Sequence, residues 1–167
     1  MSIKNTAWLI ALGALAIILV ALASEHFGGL KPCVLCLQQR LPYYVGVPLA
    51  LIAAWVAHRQ PTIARGLFLP LMVIFTLSAG LGGYHAGVEY GWWAGPQSCG
   101  IAGDGAPENT QQLLQLLKTS PLVRCEETTF TLFGISMAGY NFIASLGLAG
   151  LALFGLNRTN NRDNGDA

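Results

Sequence analysis

The sequence predicts an all-α membrane protein: a single domain built as a four-transmembrane-helix bundle, with two loops on one face. Three observations carry this. Only 17 of the 167 residues are Asp, Glu, Lys or Arg, 10% of the chain, where a soluble domain carries roughly 25%. Hydrophobic residues make up 53%, and the mean hydropathy is +0.52. The charged residues also avoid four stretches, 7–24, 41–57, 66–84 and 132–156, each near the roughly 20 residues a helix needs to cross the hydrocarbon core. These features exclude a disordered chain, a nucleic-acid binder and an ordinary cytosolic enzyme. The net charge of +1 points to no polyanionic partner.

The four runs are continuously apolar, as helices in lipid are, whereas barrel strands alternate. Lys4 followed by an apolar run and Ala21-Leu22-Ala23 also has the features of a secretory signal. The run is long for one, however, and its removal would leave three spans. Gly80, Gly82, Gly83, Gly134, Ala138, Gly139 and Gly147 offer small surfaces for close helix contact. Four spans place both termini on one side, with loops 25–40 and 85–131 on the other. Lys4, Arg59, Arg65, Arg158 and Arg162 lie on the terminal side, against Lys31, Arg40, Lys118 and Arg124 on the loop side. Two of the latter four fall in a loop long enough to count little. The expected orientation therefore has cytoplasmic termini and outward loops, with a cytoplasmic tail from 157.

All four cysteines fall in the outward loops: Cys33 and Cys36 in the first, Cys99 and Cys125 in the second. An even count on the oxidising face reads as two disulfides or a redox relay. Cys33-Val34-Leu35-Cys36 is a CxxC, a spacing that lowers the thiolate pKa of one member. It follows Pro32, which suits the start of a helix, and a helix N-terminus favours a thiolate. Arg40 stands four residues after Cys36, on the same helical face, where its charge favours the ionised thiol. Pro42 either bends that helix or marks its start near Leu41. Zinc wants two close ligand pairs, and Cys99 and Cys125 lie 26 residues apart. A structural disulfide stapling the long loop competes with thiol–disulfide exchange, which better explains a CxxC beside a second pair on the same face.

Lys31-Pro32-Cys33-Val34-Leu35-Cys36 with Arg40, and the later Cys99 and Cys125, resemble the disulfide-bond formation protein B family across nearly the whole chain. The resemblance implies a protein-dithiol:quinone oxidoreductase of the bacterial inner membrane. A soluble periplasmic, thioredoxin-like (DsbA-like) dithiol oxidase would attack Cys99 of a Cys99–Cys125 disulfide. Cys125 would exchange with Cys33, and Cys36 would face a membrane quinone, ubiquinone or menaquinone. The resemblance also puts Arg40 and His85 beside Cys36 and the quinone, with no metal. Arg40 would stabilise both the thiolate and the developing quinol anion. Two alternatives are a disulfide-stapled, non-catalytic membrane protein and an enzyme of the vitamin K epoxide reductase type. The second is disfavoured because its CxxC comes late in the bundle, and here it comes early.

His85 closes the third span, where a quinone contact and an interfacial polar residue are equally good readings. His26 reads as a headgroup-level residue. His58 lies on the opposite face, too far to share a ligand with His85. Trp92, Trp93, Tyr84 and Tyr90 suggest an interfacial belt, and Tyr43 and Tyr44 lie near the CxxC. Leu113, Leu114, Leu116 and Leu117 among glutamines suggest a short amphipathic helix on the outer leaflet. Gly100, Gly103 and Gly105 make a pliant segment after Cys99. The tail reads as disordered.

Overall fold

The computed structural model describes residues 2–30, 32–95, 109, 111, 125 and 131–158. Its four helices are α1 (Ile3–His26), α2 (Val34–Val56), α3 (Pro61–Glu89) and α4 (Met137–Asn157). A two-stranded hairpin, β1 (Thr131–Leu132) and β2 (Ile135–Ser136), precedes α4. α1, α3 and α4 are each long and apolar enough to cross a membrane. At 24 residues, α1 reaches about 36 Å, past a hydrocarbon core of roughly 30 Å. α2 is 23 residues long, but Gln38, Gln39 and Arg40 occupy its early turns.

Two boundaries differ from the sequence reading. α2 begins at Val34, seven residues before Leu41, because Cys33 takes an extended backbone and caps the helix: its Sγ accepts the Cys36 N–H. Pro42 and Pro48 lie inside α2 and break its backbone ladder without ending the helix. The fourth apolar run does not start as a helix at 132. Leu132 and Ile135 pair across an antiparallel hairpin whose turn residues, Phe133 and Gly134, both have positive φ (52° and 78°). That is the geometry of a tight hairpin turn and is incompatible with a right-handed helix. Gly134 is thus a turn residue, not a helix-packing one. Ser136 then caps α4, its Oγ accepting from Gly139 N at 3.1 Å.

The bundle is closed in a ring: α1 packs on α2, α2 on α3, α3 most extensively on α4, and α4 back on α1. Small residues at helical spacing, Ala7, Ala11 and Ala14 on α1 and Ala50, Ala53 and Ala54 on α2, are all buried and let the backbones approach. Phe68, Leu71 and Phe75 of α3 fill the centre. Arg65 Nε donates to the Leu156 carbonyl at 2.6 Å, satisfying one of the unpaired carbonyls at the end of α4. A second, smaller core of Cys33, Leu35, Val88 and Cys125 lies at the other end.

The α3–α4 contact depends on missing side chains. A Cβ at Gly155 would stand 2.7–2.8 Å from three ring carbons of the fully buried Phe68, whereas one at Gly147 would meet nothing within 4 Å. Gly155→Val is therefore expected to destabilise the detergent-solubilised protein by about 1–3 kcal/mol, the usual cost of overpacking. Gly147→Val is expected to leave the melting temperature unchanged. Equal melting temperatures for both variants would refute the packing argument.

Candidate active site

The site is assembled where α2 begins and α3 ends. Capping by Cys33 turns the first helical turn so that the two sulfurs of the CxxC lie 3.1 Å apart, both as free thiols. Cys36 N also points at Cys33 Sγ, at 3.3 Å. His85, in the last turns of α3, is buried at 1% exposure and brings Nε2 to 3.5 Å from Cys33 Sγ. The hydrogen bond from Cys36 does most to hold the Cys33 thiol well below the ordinary thiol range; burial opposes it and His85 assists. Cys33 is therefore the sulfur that favours the thiolate.

Further polar groups converge from the neighbouring helices. Gln39 Nε2 lies 2.5 Å from His85 Nδ1, and Asn141 Nδ2 of α4 donates to Gln39 Oε1 at 2.5 Å. Tyr43 Oη donates to Asn141 Oδ1 at 2.5 Å and lies 2.8 Å from Ser145 Oγ. Glu89, one turn after His85, places Oε1 3.9 Å from His85 Nε2. Its other oxygen is buried with no hydrogen-bond partner among the described residues. Arg40 Nη1 pairs at 2.5 Å with Glu25 Oε2 of α1, not with Cys36.

A cavity of ≈ 480 Å³ opens against this cluster. Its body is apolar, with Ile17, Val20 and Ala21 of α1 and Ala144 of α4 among its walls, and one end is polar, with Glu25, Cys36, Gln39, Arg40, His85 and Glu89. Cys36 lines it and Cys33 does not. Cys33 sits in the small core that contains Cys125, against which Cys36 also packs; Cys125 is fully buried and disulfide-bonded. The fold thus brings together five of the six residues singled out from sequence: Cys33, Cys36, His85, Cys125 and Arg40. Cys99 lies outside the described residues, as do Gly100, Gly103, Gly105, Leu113, Leu114, Leu116, Leu117 and the tail beyond Arg158. The atoms Cys33 Sγ, Cys36 Sγ and His85 Nε2, all within 4.8 Å of one another, also have a spacing a metal ion accepts. The fold thus supplies a third ligand that the cysteine spacing alone lacked.

Comparison with known proteins decides the family. The sequence model described as "Disulfide bond formation protein DsbB" matches residues 4–155. The chain belongs to the DsbB family. It is 36% identical over 169 residues to Disulfide bond formation protein B 2 of Pseudomonas syringae pv. syringae (strain B728a), covering 93% of this chain and 91% of that protein. It is 33% identical over 156 residues to Disulfide bond formation protein B of Verminephrobacter eiseniae (strain EF01-2), covering 87% and 82%. No solved structure matches. With its long apolar helices, this DsbB-family chain is a multi-pass membrane protein.

Of the residues gathered here, sequence reasoning missed Glu25, Gln39, Glu89 and Asn141, and it noted Tyr43 only as lying near the CxxC. Signals existed for three of them. Asn141 is a polar residue inside an apolar run, which is costly unless it is partnered. Glu89 stands at i+4 from His85, and Gln39 at i+3 from Cys36, positions that share a helical face. The aromatic group is reorganised: Tyr84 stacks on Trp93 with centroids 6.0 Å apart, and Tyr90 Oη donates to the Gly134 carbonyl and accepts from Ser136 N. These contacts fasten the hairpin to the end of α3. His26 bonds its own helix, at Leu22 O, and exposed His58 lies in the α2–α3 turn, away from the site.

Proposed function

We propose that the chain is a protein-dithiol:quinone oxidoreductase of the bacterial inner membrane, supporting disulfide formation in periplasmic proteins. In this reading all four helices span the bilayer, the termini are cytoplasmic, and the cysteine-bearing loops are periplasmic. The reading rests chiefly on one observation. The CxxC bridges two environments: Cys33 is buried in the core that holds Cys125, and Cys36, 3.1 Å away, packs against that core and also lines an apolar cavity with a charged end. Electrons can therefore arrive on one sulfur and leave from the other.

In the relay, a thiolate of a reduced, thioredoxin-like periplasmic oxidase attacks Cys99 of the Cys99–Cys125 disulfide. The partner's second thiol closes the partner's own disulfide and releases Cys99. The pair Cys99 and Cys125, now a dithiol, reduces Cys33–Cys36 through a Cys125–Cys33 mixed disulfide. The cavity fits a quinone: its walls are apolar, as a ring and isoprenoid tail require, and its polar end offers donors for the carbonyls. Arg40, His85 and Cys36 would hold the head group, and ubiquinone or menaquinone would supply the two-electron sink. Arg40 orients charge at that end, and closure of Cys33–Cys36 returns the chain to its starting state.

The test is a reconstituted assay of the purified chain, an excess of reduced periplasmic dithiol oxidase and a soluble quinone analogue, followed by quinone absorbance. One quinone should be consumed for each partner disulfide formed. If both cysteine pairs keep their redox state however the quinone is poised, the cysteines are structural staples and the reading fails.

A further inference from the structure

We infer that Gln39 and Asn141 are positioning residues that fix the proton of His85 on Nε2, aimed at Cys33 Sγ. One file of hydrogen bonds carries the inference, its direction set by the amide orientations of Asn141 and Gln39, each with its oxygen toward the preceding donor. Tyr43 has a single O–H, and it goes to Asn141 Oδ1. The contact between Tyr43 Oη and Ser145 Oγ at 2.8 Å must then run from serine to tyrosine, and the Ser78–Ser145 contact at 3.0 Å from Ser78 to Ser145. Asn141, its oxygen engaged, donates through Nδ2 to Gln39 Oε1. Gln39 is left with Nε2 facing His85 Nδ1 at 2.5 Å, so Nδ1 accepts. A neutral imidazole carries one N–H, which therefore sits on Nε2, nearer to Cys33 Sγ at 3.5 Å than to Glu89 Oε1 at 3.9 Å. Ser78, Ser145, Tyr43, Gln39 and His85 are buried, and Asn141 is half-buried at the cavity wall.

The consequence rests on the relay proposed above. When Cys99 attacks Cys125 in the Cys33–Cys125 mixed disulfide, the Cys99–Cys125 bond forms and the Cys33–Cys125 bond breaks. The electron pair lands on Cys33 Sγ, and a fixed N–H stabilises that leaving thiolate. Neither Asn141 nor Tyr43 touches a sulfur in the described contacts; both act through the amide of Gln39.

The tautomer is measured without turnover, by nitrogen NMR of the reduced, full-length chain in detergent with 15N-labelled histidine. The His85 signals are identified by their loss in His85→Gln, at a pH above imidazole protonation. The native chain is expected to show protonated Nε2 and bare Nδ1. Asn141→Leu and the milder Tyr43→Phe should each move the tautomer ratio toward Nδ1–H, by up to about tenfold for the loss of one hydrogen bond. In Asn141→Leu, the pH profile of Cys33 alkylation, read by peptide mass, should move upward by roughly one pH unit. A native His85 protonated on Nδ1 would overturn the inference. So would a tautomer ratio and alkylation profile that neither variant moves. Failure of the quinone assay with the tautomer as expected would instead sink the relay and leave the positioning intact.

Discussion

Replacing Cys36 with serine is expected to drop quinone turnover by about four orders of magnitude, to the uncatalysed background, as loss of a reacting nucleophile does. Cys36 is the only cysteine on the cavity wall among the described residues, and its sulfur lies 3.1 Å from its partner. A serine cannot close the Cys33 disulfide, and Cys33 does not line the cavity. The defect should be selective. The Cys99–Cys125 pair is untouched, so Cys36→Ser should still oxidise one equivalent of reduced partner and then stop. Quinone absorbance gives the steady state, and a non-reducing gel gives the single equivalent. Multiple turnovers at the native rate would remove Cys36 from the electron path. A chain that oxidises no partner at all would put the entry point at the CxxC instead of the second pair.

The helices were legible because continuous apolarity is a one-dimensional property. Their ends were not, because ends depend on backbone angles. Leu132, Phe133 and Ile135 read as more of the same helix, and only the positive φ at Phe133 and Gly134 shows that the chain turns there first. Pro42 read as either an interior bend or a boundary, and the capping sulfur of Cys33 decides it by starting α2 earlier, with the proline inside the helix. The CxxC was legible from spacing alone. The contact of His85 with Cys33 joins residues 52 apart, and that of Asn141 with Gln39 joins residues 102 apart. No periodicity encodes such pairs; they follow from α2, α3 and α4 packing at the heights they do. Arg40 is the instructive intermediate case. Helical spacing put it on the face of Cys36, and both do line the cavity, but its direct partner is Glu25, from another helix.

That partnership sets the second large expectation. Arg40→Gln should lower kcat/KM for the quinone by about 10²- to 10³-fold while barely moving the melting temperature. The two effects separate because of where the charges sit. The Arg40 side chain is 12% exposed and that of Glu25 is 32%. Stripped of its partner, Glu25 can turn to solvent, so the stability cost of the broken pair stays within about 1 kcal/mol. The cavity has no such recourse. Glu25 engages the guanidinium through Nη1, and the fork carries five N–H donors in a rigid plane. The pair thus anchors the group and leaves donors to face the polar end of the cavity. A neutral glutamine offers fewer donors and no charge where a quinol anion would develop. Glu25→Gln tests the anchoring half separately: the cation remains but loses its tether, so KM should rise while kcat falls less than in Arg40→Gln. Combining the two substitutions should add little to Arg40→Gln alone, since an anchor without an anchored group has nothing to hold. Native quinone kinetics in Arg40→Gln would take the guanidinium out of the reaction and reduce the Glu25–Arg40 pair to a tie between α1 and α2.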